Sequence, residues 1–200
     1  RALPVEAKPL YQNNFENAEA GKLPEDFLVL QGEFAVKEVE GNKLLELPGA
    51  PLDSFGLLFG PTEATNIAVS ARIFSTGKGR RYPTIGVGLN GLSGYKLQVS
   101  PAKKALELYK GEELKVSVAY EWKSGEWTLF RLQIRKAKEG EWKVDGKVRT
   151  QGGKESGEWM ISFDEKEEPV AGRAVIWGSP FAGTPIQFDD LRVVRAVVKP

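Results

Sequence analysis

The chain has 200 residues, with 28 Lys and Arg against 27 Asp and Glu, so its net charge of +1 provides no overall field to gather nucleic acid or an anionic membrane. Cysteine and histidine are both absent, which excludes disulfide frameworks, thiol nucleophiles, zinc ribbons, Ser-His-Asp triads and imidazole acid-base chemistry. No run approaches the roughly 18 apolar residues of a membrane-spanning helix.

Residues 1–9 carry two prolines and mixed charge and read as a flexible leader. Residues 10–200 read as one domain, because no linker, low-complexity tract or shift in composition divides them. Apolar and polar residues alternate between frequent Gly and Pro breaks, the signature of half-buried strands. Strands are predicted, in chain order, near 10–16, 27–39, 43–47, 55–59, 66–74, 83–89, 94–99, 105–109, 113–121, 126–136, 141–149, 158–163, 172–178 and 185–195. Glu40-Gly41, Asn90-Gly91, Ser124-Gly125 and Asp145-Gly146 have the composition of hairpin turns. Helix is expected nowhere beyond a loose turn within 16–26 or just after Pro101. The expected fold is all-β, a sandwich of two antiparallel sheets.

Five local patterns carry a family resemblance: Phe15-Glu16 closing the first strand; Leu30 to Val36 followed by Gly41 to Leu44; the Trp-led run Trp127 to Ile134; Gly172 to Trp177; and Ile186-Gln187-Phe188-Asp189-Asp190-Leu191-Arg192-Val193. In this order they resemble the jelly-roll β-sandwiches of the concanavalin A-like lectin and glucanase superfamily, including laminin-G-like and bacterial 3-keto-disaccharide hydrolase-like domains. The resemblance implies first and last strands lying side by side, and a secreted or periplasmic bacterial protein, although no signal peptide is visible. It also implies a structural calcium at that junction, held by Asp189 with Asp190 or Glu16 and a carbonyl near Gly41. The competing reading is that these acids bond backbone amides or pair with arginines.

The glucanases of this superfamily carry a Glu-x-Asp-x-(x)-Glu strand that places two catalytic carboxylates beside the sugar. This chain lacks it, and its densest acid run, Asp164 to Glu168, reads as a solvated loop before Pro169. The expected function is therefore non-catalytic carbohydrate binding on the concave sheet face. Arg131 and Gln133 on the Trp-led strand are the expected ligand residues, joined by Arg72, Tyr95, Gln98 and Trp177. Aromatic faces stack on sugars, and Arg and Gln bond hydroxyls. Two alternatives are a hydrolase that uses carboxylates alone, and a structural or protein-binding module with no small ligand. The loop Lys78 to Tyr82 reads as a solvated basic tip. No nucleic-acid partner is expected, and the oligomeric state is not legible.

Overall fold

The computed structural model describes residues 8–49, 53–154 and 157–196; the expected leader falls outside these except for Lys8 and Pro9. Fifteen strands form among the described residues: β1 (Tyr11–Asn13), β2 (Leu28–Gln31), β3 (Ala35–Val39), β4 (Asn42–Leu47), β5 (Phe55–Glu63), β6 (Ile67–Phe74), β7 (Thr84–Leu89), β8 (Tyr95–Ser100), β9 (Ala105–Lys110), β10 (Glu113–Ala119), β11 (Trp127–Lys138), β12 (Glu141–Thr150), β13 (Ile161–Glu165), β14 (Gly172–Ser179) and β15 (Ile186–Arg195). A single 3-10 turn, Pro101–Lys103, is the only helical element among them.

The strands make two antiparallel sheets. The larger has eight, in the order β13-β12-β11-β6-β15-β4-β3, with β1 also paired to β15. The smaller has seven, in the order β10-β9-β8-β7-β14-β5-β2. Each strand turns alternate side chains inward, so Phe130, Leu132 and Phe188 of the larger sheet share one core with Leu57, Val87 and Leu97 of the smaller. Burying each such side chain contributes about 1.5–3 kcal/mol. The expected pairing of chain ends is present: Tyr11, Gln12 and Asn13 lie opposite Val193, Arg192 and Leu191.

Three local expectations are corrected. The run 27–39 is two strands in different sheets. At Gly32 φ is +115°, a value that L side chains avoid, and there the chain leaves β2 in the smaller sheet for β3 in the larger. The first strand stops at Asn13, and Phe15 takes φ +63° and is buried against Phe27 at 6.0 Å between ring centroids. Asp145-Gly146 is no turn: both residues sit in the middle of β12, opposite Gln133 and Leu132. The β11–β12 turn is Glu139-Gly140, with Gly140 at φ +73°. Gly146 is used for its size, since a Cβ there would stand 2.7 Å from Leu97 Cδ1.

Candidate functional site

Period two places a polar ladder on the outward face of the larger sheet. Ile67, Val69, Ala71 and Ile73 of β6 are buried, so Ser70 and Arg72 point out. Likewise Phe130, Leu132 and Ile134 of β11 send Leu129, Arg131 and Gln133 outward, while β12 presents Asp145, Lys147 and Arg149. Register aligns these residues into two rows. One runs Asp189, Arg72, Leu129, Arg149; the other runs Arg192, Ser70, Arg131, Lys147. All of these except Asp189 line a groove of about 280 Å³, whose apolar lining is Leu129 with Ala71, Phe130 and Val148.

A β-bulge in β15 forms one end of this groove. The register with β6 slips between Asp189 and Arg192, and Asp190 adopts φ +50°. Bulges re-aim side chains in this way. Beyond it lies a second depression of about 740 Å³, lined by the amides of Gln12, Asn13, Asn14 and Asn17. Asp190 and Arg192 line both depressions, which therefore meet at the bulge.

Arg72 organises this end. Its Nε donates to Asp190 Oδ2 at 2.6 Å, its Nη2 to Asp189 Oδ2 at 3.0 Å and its Nη1 to Gln151 Oε1 at 3.0 Å, while the guanidinium lies 4.5 Å from the centre of the Trp127 ring. Asp189 is 1% exposed and also accepts from Asn42 Nδ2 at 3.1 Å and from the Asp190 amide at 2.8 Å. Burial still dominates and raises its pKa above the ordinary aspartate range, with the Asn42 and Asp190 amide bonds and the Arg72 charge opposing that shift.

Of the residues expected to hold calcium, Glu16 and Asp189 reach the same hairpin turn. Glu16 Oε1 accepts from the Lys43 amide at 3.1 Å, beside Asn42 and the Gly41 turn. As placed, they do not fit that ion, which takes six to eight oxygen ligands. Both Asp189 oxygens receive N–H donors and a guanidinium stands against them. No group of three or more acidic side chains able to hold a metal forms among the described residues.

The six expected ligand residues do not form one site. Arg72 and Arg131 line the groove. Gln133 faces the same way but is drawn down to Asp145, donating to its Oδ2 at 2.9 Å. Gln98 and Trp177 lie on the outward face of the other sheet, because β8 and β14 belong there. Gln98 donates to Ser100. Trp177 lies against Gly56, where a Cβ would come within 2.6 Å of its ring, and Lys96 Nζ stands 5.4 Å from the ring centre. Tyr95 is inside the sandwich at 3% exposure. Its hydroxyl donates to Glu165 Oε2 at 2.6 Å, and burial followed by that carboxylate raises the phenol pKa.

Glu165 corrects the reading of residues 164–168 as a solvated loop. It ends β13, is 5% exposed and pairs with Lys110 at 3.0 Å. Burial acts to raise its pKa, but bonds from Tyr95, the Glu167 amide and Lys110 outweigh burial and hold it below the usual range. Asp145 is another acid whose role the sequence hid. It is fully buried on the outward face, accepting from Gln133, from Arg135 Nε at 3.0 Å and from Ser162 at 2.7 Å. The residues of the two depressions that sequence reasoning missed are Lys147, Arg149, Arg192 and the amides of residues 12–17. The first two were marked by alternation with Val144 and Val148, and Arg192 by its place between the apolar Leu191 and Val193; the amides carried no local signal.

No protein-family model matches the chain, and no curated protein matches it. Solved structures do. A Bacillus subtilis protein of unknown function with a galectin-like fold is 14% identical, with 98% of this chain and 99% of that one covered and a TM-score of 0.69. The metal-free carbohydrate recognition domain of Emp46p is 11% identical over 97% and 100%, with a TM-score of 0.62. Carbohydrate binding module CBM66 from Bacillus subtilis is 9% identical over 84% and 95%, with a TM-score of 0.57. Two face-to-face antiparallel sheets, sealed where first and last strands pair, and likeness along nearly the whole chain to these domains give this protein the concanavalin A-like jelly-roll fold.

Proposed function

We propose that the chain is a carbohydrate-binding domain whose ligand lies across the outward face of the larger sheet, from the Leu129 groove over the β15 bulge to the amides of Gln12, Asn14 and Asn17. The observation that carries this reading is the pair of joined depressions. An apolar floor is walled by planar guanidinium and amide groups, which bond vicinal hydroxyls while the floor meets the sugar's CH face. The likeness to a carbohydrate binding module and a carbohydrate recognition domain supports it. Binding is favoured over hydrolysis because Asp190 is the one carboxylate among the described lining residues of the Leu129 groove, and glycoside hydrolysis usually takes two flanking the bond. A ligand of this kind is met outside the cytoplasm, which favours an exported protein. No helix among the described residues is long and apolar enough to cross a membrane.

A glycan array followed by calorimetry tests the assignment. Leu129→Asp places a carboxylate on the groove floor at an outward position, so the fold should persist while affinity for the best array ligand falls at least about tenfold. Unchanged affinity would move the ligand elsewhere; an array with no hits would remove the assignment.

A further inference from the structure

Resting on that reading and narrowing it, we infer that the ligand is an acidic polysaccharide. The Leu129 groove takes the carboxylate or sulfate of a charged sugar residue, and the amide-lined depression takes an uncharged part of the same chain. The local charge carries this. Among the described residues the groove is lined by five cationic side chains, Arg72, Arg131, Lys147, Arg149 and Arg192, and by one acid, Asp190. The protein as a whole is +1, so this excess is a property of the groove and not of the surface at large.

Arg72 is held by Asp189 and Asp190 at 3.0 and 2.6 Å. The other four stand around Leu129 and Ser70. Arg131 and Lys147 are directly opposed across β11 and β12, so the two cations face the same part of the groove, with Lys147 Nζ 4.9 Å from the centre of the Trp159 ring. Three of the four are arginines, whose fork matches the two oxygens of a carboxylate or sulfate. The second depression differs in kind. Gln12, Asn14 and Asn17 line it with neutral amides suited to hydroxyls, Asn13 being held by the Tyr11 hydroxyl and the Phe15 amide, and Gln12 sits opposite Arg192 in the register. A chain crossing the bulge thus passes from a cationic to a neutral compartment.

The test compares matched pairs by calorimetry on the full chain: tetragalacturonate against its methyl ester, and dextran sulfate against dextran, with oligothymidine as a non-sugar polyanion. At least one charged member should bind at least about tenfold more tightly than its neutral counterpart, equivalent to about 1.4 kcal/mol. That preference should shrink between about 0.05 and 0.5 M NaCl, as the Debye length contracts. Which pair discriminates identifies carboxylate or sulfate. Arg131→Gln and Lys147→Gln should each cut the preference at least about threefold, and Trp177→Ala, on the opposite face, should leave it intact. Equal binding of charged and neutral members overturns this inference and leaves the carbohydrate assignment standing. Binding of no sugar, charged or neutral, overturns both. Oligothymidine bound as tightly as the charged sugars, or a preference that survives both groove variants, also overturns it.

Discussion

Arg72 shows how one side chain can be placed correctly by pattern and still be misjudged in role. Its outward direction follows from the alternation of Val69, Ala71 and Ile73, but its three acceptors come from residues 79 to 118 positions away, and no local signal announces them. It neutralises Asp189, an acid with 1% exposure. Arg72→Ala therefore leaves a buried charge without its counter-ion and should cost about 3–5 kcal/mol at pH 7. The sign of the pH dependence follows from Asp189. Its folded pKa is raised above the unfolded value, so the stability linked to it is full below about pH 3.9 and declines as pH rises through the folded value. Removing Arg72 raises that value further. Urea melts should show the variant's deficit largest at neutral pH and smaller at pH 4–5. A deficit independent of pH would mean that Arg72 acts by packing on Trp127.

At the scale of a strand, period two reports which residues share a face but not which sheet the strand joins. That is why Trp177 and Gln98 were grouped with Arg131: each points outward, but from opposite sides of the sandwich. The same limit explains β12. Asp-Gly is a strong turn signal, but here the acid finds three partners on the outward face and the glycine makes room for Leu97. Alternation, the Glu40-Gly41 hairpin and the closing strand were legible because each depends on neighbours in sequence. The groove was not, because it is assembled from β6, β11, β12 and β15. The separation of faces has a consequence for Gly56, on whose Cα face Trp177 rests. Gly56→Ala would put a Cβ 2.6 Å from the ring and should cost about 1–3 kcal/mol by overpacking. Trp177 fluorescence should shift while sugar affinity stays within about twofold; a larger loss would tie the second face to the ligand.

Across the whole molecule, the two ends of the sequence are joined by side-chain chemistry as well as by the β1–β15 ladder. Glu16 and Asp189 reach the same hairpin turn from opposite ends of the chain, one at Lys43 and the other at Asn42. With Arg72 as the counter-ion to Asp189, the junction is predicted to hold without calcium, the reading favoured here over a cation site. Thermal melts with and without chelator should coincide. A calcium present at about 100 times its dissociation constant would add about 2.7 kcal/mol, so stripping it should lower the midpoint by about 5–10 °C; a drop of that size would restore the ion to this junction.

The position of β15 also sets an order of events. It is sequentially the last strand, yet it lies between β6 and β4 and carries β1 along its flank. A ribosome releasing the chain N-terminus first delivers every neighbour of that strand before the strand itself. Until residues 186–195 emerge, two hydrogen-bonding edges stand open in the middle of the larger sheet, so cooperative closure waits for that strand. Such a domain stays threadable until its β15 segment has been made.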